Sequence, residues 1–188
     1  LIEQGASVKA RNRFGNSAFI YAAKSGNLEL VKYLFEQKSA LNMVNTQGQN
    51  ALMLASKEGY IDIVQYLLEH DAEVNHFSLK HVTALAEAAY GGHAEIVQML
   101  LDHQARVDIV DNTGKTALIY VSANGDLQIM TLILANTKDV NQQFGHKLTA
   151  LMWAAGYGKN DAVALLLSAD ADVDIQDDRG RTALMMAA

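Results

Sequence analysis

The chain of 188 residues has no cysteine and no proline. Average usage of roughly 5% would have placed about nine prolines in this length, so proline-rich linkers and collagen-like helices are excluded. The lack of cysteine removes a disulfide scaffold, a thiolate nucleophile and cysteine-ligated zinc. Long apolar runs are missing too: nothing approaches the roughly 18 consecutive apolar residues of a membrane span, so no membrane insertion is expected. Basic charge is scarce, with 15 Lys and Arg against 21 Asp and Glu for a net charge of −6. That balance opposes a nucleic-acid partner, which needs clustered cations. There is no Asn-x-Ser/Thr acceptor and no signal-peptide character at Leu1-Ile2-Glu3-Gln4, and a cytoplasmic location is the expectation.

Half of the residues are apolar, too many for a disordered chain. They are arranged periodically. An Ala followed by a large apolar residue recurs at Ala18-Phe19, Ala51-Leu52, Ala84-Leu85, Ala117-Leu118, Ala150-Leu151 and Ala183-Leu184, always 33 residues apart. Gly26, Gly59, Gly92, Gly125 and Gly158 keep the same step, as do Asn42, Asn75, Asp108, Asn141 and Asp174. A fixed period of this size is the mark of a repeat array.

One unit, 45–77, shows what each repeat encodes. Asn50 stands where Ser17, Thr83, Thr116, Thr149 and Thr182 stand elsewhere, all side chains that cap a helix N-terminus. A short first helix from Ala51 to Glu58 is predicted, closed by Gly59 in the left-handed conformation. A second helix follows through Ile61 to Glu69, with Ile63, Val64, Leu67 and Leu68 on one apolar face. A polar turn leads on. Two helices of this length cannot bury their apolar faces alone, so successive units must stack into a solenoid. Ala22, Ala55, Ala88, Ala154 and Ala187, with Val121 as the exception, give the first helices room to approach one another.

Thr149-Ala150-Leu151-Met152-Trp153-Ala154-Ala155 and Thr182-Ala183-Leu184-Met185-Met186-Ala187-Ala188, with Gly92-His93, Ile96-Val97 and Leu100-Leu101, resemble the ankyrin repeat family. The resemblance covers the whole chain and implies an all-α solenoid of stacked helix-turn-helix units joined by hairpin-like turns. Its expected organisation is one array over 1–188: a partial repeat at 1–11, full repeats at about 12–44, 45–77, 78–110, 111–143 and 144–176, and a partial repeat at 177–188. Neither end carries a polar cap, so an excerpt of a longer array is expected.

Catalytic chemistry finds no foothold in the pattern. His70 and His103 are copies of one helix-end position, His93 belongs to the glycine-histidine motif, and His76, His81 and His146 fall in turns without further ligands at metal spacing. Gly156-Tyr157-Gly158 follows a helix rather than a strand and lacks the rest of a phosphate-cradling loop. Asp170, Asp172 and Asp174 lack the glycine and terminal acid of a calcium loop. No catalytic residue, cofactor or metal is expected.

The resemblance implies instead a non-catalytic module, expected to be a monomer, that binds a protein partner on a concave face built from the turns and the first helices. Candidate contact residues are Phe14, Phe77, Leu79, Tyr90, His146, Trp153 and Tyr157, apolar or ring side chains at variable surface positions, where binding hot spots arise. Tyr21, Tyr120 and Trp153 share a helix phase with Leu54 and Met186, so packing between neighbouring units is the competing reading for them. A second functional reading is a targeting or substrate-recognition segment of a larger enzyme or bacterial effector. The turn glycines Gly15, Gly48, Gly114 and Gly180 are replaced by His81 and Lys147 in two units, and those two turns are expected to differ in shape.

The family proline belongs at the first helical position, held here by Ala18, Ala51, Ala84, Ala117, Ala150 and Ala183. Restoring it at Ala51 or Ala117 is expected to stabilise the fold by about 0.4–1 kcal/mol by restricting the unfolded chain. Thermal unfolding of Ala51→Pro and Ala117→Pro tests this, and a lowered midpoint contradicts it.

Overall fold

The computed structural model describes residues 4–188, so part of the helix tail expected at the start, Leu1-Ile2-Glu3, lies outside the described residues. Helices alternate in two series. The first helices are α1 (Ala18–Lys24), α3 (Ala51–Glu58), α5 (Ala84–Gly91), α7 (Ala117–Asn124), α9 (Ala150–Gly156) and α11 (Ala183–Ala187). The second helices are α2 (Leu28–Glu36), α4 (Ile61–Glu69), α6 (Ala94–Asp102), α8 (Leu127–Leu134) and α10 (Asn160–Ser168). Among the described residues the only β-type pairing is isolated bridges, Arg11 with Ser17, Phe77 with Thr83 and Phe144 with Leu148.

The helix starts follow the capping chemistry with two exceptions. Ser17, Asn50, Thr83 and Thr149 each accept from the amide three residues on, whereas Thr116 and Thr182 make no such bond. Asn50 and Thr116 are both extended, the backbone preferred before a proline, which keeps Ala51 and Ala117 suitable for restoring one. Gly59 closes α3 with φ +81°, and a Cβ there would lie 2.6 Å from the His93 ring. Only glycine meets both demands. His93 Nε2 in turn donates to the Lys57 carbonyl at 3.0 Å, tying α6 to the end of α3.

His70 and His103 occupy the ends of α4 and α6, and each Nδ1 lies on the carbonyl four residues back, Tyr66 at 2.7 Å and Met99 at 2.8 Å. A carbonyl only accepts, so Nδ1 carries the proton and satisfies an orphan group at the helix end.

Burial joins the units into one core. Ile63, Val64, Leu67 and Leu68 are buried as their spacing predicts, and their counterparts Ile96, Val97, Leu100 and Leu101 continue the row. Ala22, Ala55, Ala88, Val121 and Ala154 are all fully buried. These small side chains let first helices pack against one another more closely than second helices do. The stack therefore bends toward the first helices, which line its concave side.

The Asn and Asp positions bridge neighbours rather than holding their own turns. Asn42 Oδ1 accepts from the Glu73 amide at 3.0 Å, Asn75 Oδ1 from Arg106 at 2.8 Å and Asn141 Oδ1 from Asp172 at 2.7 Å. The equivalent Asp108 is instead held by Arg106 through two bonds of 3.0 Å.

The hairpin turns project as fingers and are also linked. In the turns before α1, α3, α5, α7 and α11, a side-chain oxygen of Asn12, Asn45, Ser78, Asp111 or Asp177 accepts from the amides two and four residues on. Each finger then donates one amide to the finger before it, as Thr46 does to the Phe14 carbonyl, Leu79 to Gln47 and Asn112 to Lys80. These bonds force His81 into the left-handed conformation, φ +57°, so the turn before α5 keeps the common shape despite having no glycine. That corrects one expectation.

The turn before α9 does differ. Phe144 brings no acceptor side chain, His146 and Lys147 are both left-handed, and the Gly145 amide reaches the Gly114 carbonyl instead of that of Thr113.

A left-handed non-glycine residue costs about 1–2 kcal/mol, against which glycine adds about 0.5–1 kcal/mol of unfolded-state entropy. Lys147→Gly, at an exposed position, is thus expected to stabilise by up to about 1 kcal/mol. Chemical denaturation with an unchanged slope checks it, and a lower midpoint contradicts it.

Candidate functional site

The concave side carries a groove of about 650 Å³ across α5, α7 and α9, lined by Tyr90, Lys115, Tyr120, Trp153, Tyr157 and Lys159 among others. Helical spacing and the 33-residue step create it together. Tyr120 and Trp153 are one position in successive first helices, while Tyr90 and Tyr157 stand near the ends of α5 and α9. The Tyr90 and Tyr120 rings meet edge to face at 5.6 Å, and the Trp153 and Tyr157 rings stack at 5.8 Å. Lys115, at the base of the finger before α7, bridges the two pairs. Its Nζ lies 5.6 Å from the Tyr120 ring centre and 5.2 Å from that of Trp153, within cation–π range.

Asp111 fixes the floor of the groove. The Tyr120 hydroxyl donates to its Oδ2, while Oδ1 accepts from the Thr113 and Lys115 amides and the Thr113 hydroxyl. Burial would raise the Asp111 carboxyl, but these hydrogen bonds outweigh it and hold the group below the usual carboxylate range. Tyr120 is pushed up to about 12, first by burial and then by its bond to Asp111. The acid is thereby engaged internally.

Further along the concave face, burial raises the Glu87 carboxyl, and its partner Lys57 stands 3.8 Å away. The groove keeps two cations, Lys115 and Lys159, the latter with its stem laid along Gly125, where a Cβ would meet Cδ at 3.1 Å.

A family profile described as ankyrin repeats (3 copies) matches residues 1–78, 75–144 and 120–188. The chain belongs to the ankyrin repeat family. No curated protein gives a match. Ankyrin repeats are typically non-catalytic protein-interaction modules, and no helix among the described residues is long and apolar enough to cross a membrane.

Within this ankyrin array the candidate residues divide into two groups. Tyr90, Trp153 and Tyr157 meet in the groove. Phe14, Phe77, Leu79 and His146 lie on the fingers. Phe14 carries the Arg13 guanidinium 4.8 Å above its ring, Phe77 is packed 4.5 Å from the His81 ring, Leu79 is 67% exposed, and His146 Nδ1 lies 3.4 Å from Asp178.

The packing reading of the shared helix phase holds only in part. Leu54 is buried, Tyr120, Trp153 and Met186 are half-buried, and Tyr21 is 59% exposed. Lys115, Lys159 and Asp111 were not candidates from sequence. Their partners are 9 to 44 residues away in the chain, and the only signal was the repeat step itself.

The Asp111–Tyr120 bond sets the response to pH. A carboxylate whose folded value is depressed contributes stability that is present above its unfolded value and lost as pH falls through the folded one. A phenol raised from 10.0 to about 12 contributes stability below pH 10 that is lost as pH rises toward 12. Acid unfolding of Asp111→Asn and alkaline unfolding of Tyr120→Phe are expected to show shallower pH dependence than the parent. Superimposable curves would contradict the arrangement.

Proposed function

We propose that this ankyrin array is a non-catalytic module that takes a protein partner on its concave face, across α5, α7 and α9. The observation that carries the reading is the placement of Tyr90, Tyr120, Trp153 and Tyr157 around Lys115 at first-helix positions beyond what the interior needs. The interior is already filled by Leu118, Ile119, Leu151 and Met152. Large rings with few rotamers lose little entropy on contact, and desolvated aromatic anchors dominate binding energy.

Charge adds a direction. The whole chain is acidic, with a net charge of −6, yet the groove presents Lys115 and Lys159 while Asp111 is consumed by Tyr120. A partner segment bearing carboxylates beside an apolar or aromatic side chain complements it. The amine would exchange its ring contacts for an ion pair while the rings remain to pack the apolar group. The fingertip residues Phe77 and Leu79 stand farther out on the same array and extend the surface available to a long segment.

Affinity capture with the intact chain identifies the partner, and calorimetric titration with the purified partner tests the face. Trp153→Ala and Lys115→Ala are each expected to weaken binding about tenfold or more, the loss of one hot-spot contact. Leu167→Ala, on the exposed side of α10, is expected to bind like the parent. Equal affinity for parent and both groove variants removes the concave-face reading.

A further inference from the structure

Four departures from the repeat converge on one place away from the groove. In most units the residue just past the second helix is left-handed, as at Lys38, Asp71, Gln104 and Asp170, and a small residue follows: Ser39, Ala72, Ala105 and Ala171. The amide of that small residue closes the helix end on the carbonyl five residues back, Leu34, Leu67, Leu100 and Leu166 respectively. After α8 the two positions are Thr137 and Lys138. Thr137 is β-branched and does not take the left-handed conformation, and Lys138 cannot be buried in the place of an alanine. The Thr137 hydroxyl replaces the closing amide, donating to the Ile133 carbonyl at 2.8 Å. The bridging Asn is Asp108 at this junction, and the finger acceptor is Phe144.

Thr137, Lys138, Asp108 and Phe144 border the same cavity, of about 350 Å³. It shares no lining residue with the concave groove. Its walls are Ala105, Val107, Leu118, Val140, Phe144 and Ala150. Thr116 also lines it, only 2% exposed, and does not spend its hydroxyl on capping α7 as Ser17, Asn50, Thr83 and Thr149 do on their helices. A buried hydroxyl left without its usual partner points to one supplied from outside. Charge at the rim cancels, because Arg106 is held by Asp108 and Lys138 stands with Asp139.

We propose that this cavity is a binding site for a small uncharged molecule of about two fused rings carrying one hydrogen-bond acceptor for Thr116. An apolar cavity of about 150 Å³ takes one benzene, and ligand pockets begin at about 300 Å³, so this space suits a bicyclic body. The balanced rim favours a neutral ligand over an ion. Local rules broken together around one hollow, at the expense of the repeat's own hydrogen bonds, are what a functional site leaves in a sequence.

Coumarin, which carries a carbonyl acceptor, and naphthalene, which does not, are the probes. Protein-observed NMR titration of the full chain is expected to give saturable 1:1 binding of coumarin with shifts at Leu118 and Val140, and weaker binding of naphthalene. Thr116→Val is expected to weaken coumarin about tenfold and leave naphthalene unchanged, which also shows that the variant is folded. The double variant Thr137→Gly, Lys138→Ala restores the common helix end and is expected to raise the thermal midpoint while weakening both probes at least tenfold. The proposal is overturned if coumarin does not bind saturably, binds no better than naphthalene, or shifts Tyr90 and Trp153 instead. Indifference of coumarin binding to either variant overturns it too. Displacement of coumarin by the concave-face partner would assign the cavity to a partner side chain and contradict the small-molecule reading.

Discussion

The array depends on one constraint: every unit must hand the next the same hydrogen-bonding and packing surface, in register, 33 residues later. A pair of helices of seven to nine residues has no independent core. It becomes stable by placing Ala22 or Ala55 against the next first helix, by lending an Asn side chain to the next loop, and by accepting one finger amide from the next turn. Because these links repeat, their strength is shared along the array, and a weak link affects mainly its two neighbours.

That constraint explains the tolerated strain. His81 occupies a backbone conformation that glycine takes freely, because its turn is fixed by the Ser78 oxygen and by the bond from Leu79 to the preceding finger. The fifth finger lacks the side-chain acceptor, and there the ladder shifts by one residue onto Gly114. Where the links are intact, as between the α3–α4 and α5–α6 pairs, the surface carries few unusual features. The departures gather from Asp108 to Phe144. The concave groove and the cavity flank this stretch on separate surfaces, so altered binding chemistry and altered register occur in the same part of the chain.

Most of the fold was legible in the sequence because its signals are local and repeated: a capping side chain, an apolar face, a glycine past the helix, the same helix-end histidine. The paired positions of Asn42, Asn75 and Asn141 were visible as a period, but their role was not, since an Asn that holds its own turn and one that bridges to a neighbour have the same spacing. The site was legible in part. Tyr90, Trp153 and Tyr157 stood out as costly surface rings, whereas Lys115 reaches Trp153 across 38 positions of sequence and Asp111 meets Tyr120 only after the finger folds back on its helix. Lys138, at a position otherwise held by serine or alanine, was in plain view in the sequence. Its meaning required the geometry of the helix end and the hollow beside it.

Amide hydrogen exchange on the free protein tests this account most directly. The amides of Ala72, Ala105 and Ala171 close helix ends, and those of Glu73, Arg106 and Asp172 are held by a neighbouring Asn. Lys138 and Asp139 are the corresponding positions without these bonds. The account predicts protection at the first six and exchange at least about tenfold faster at Lys138 and Asp139, an opening easier by about 1.4 kcal/mol. Equal protection at all eight positions would contradict the claim that register lapses where the binding features gather.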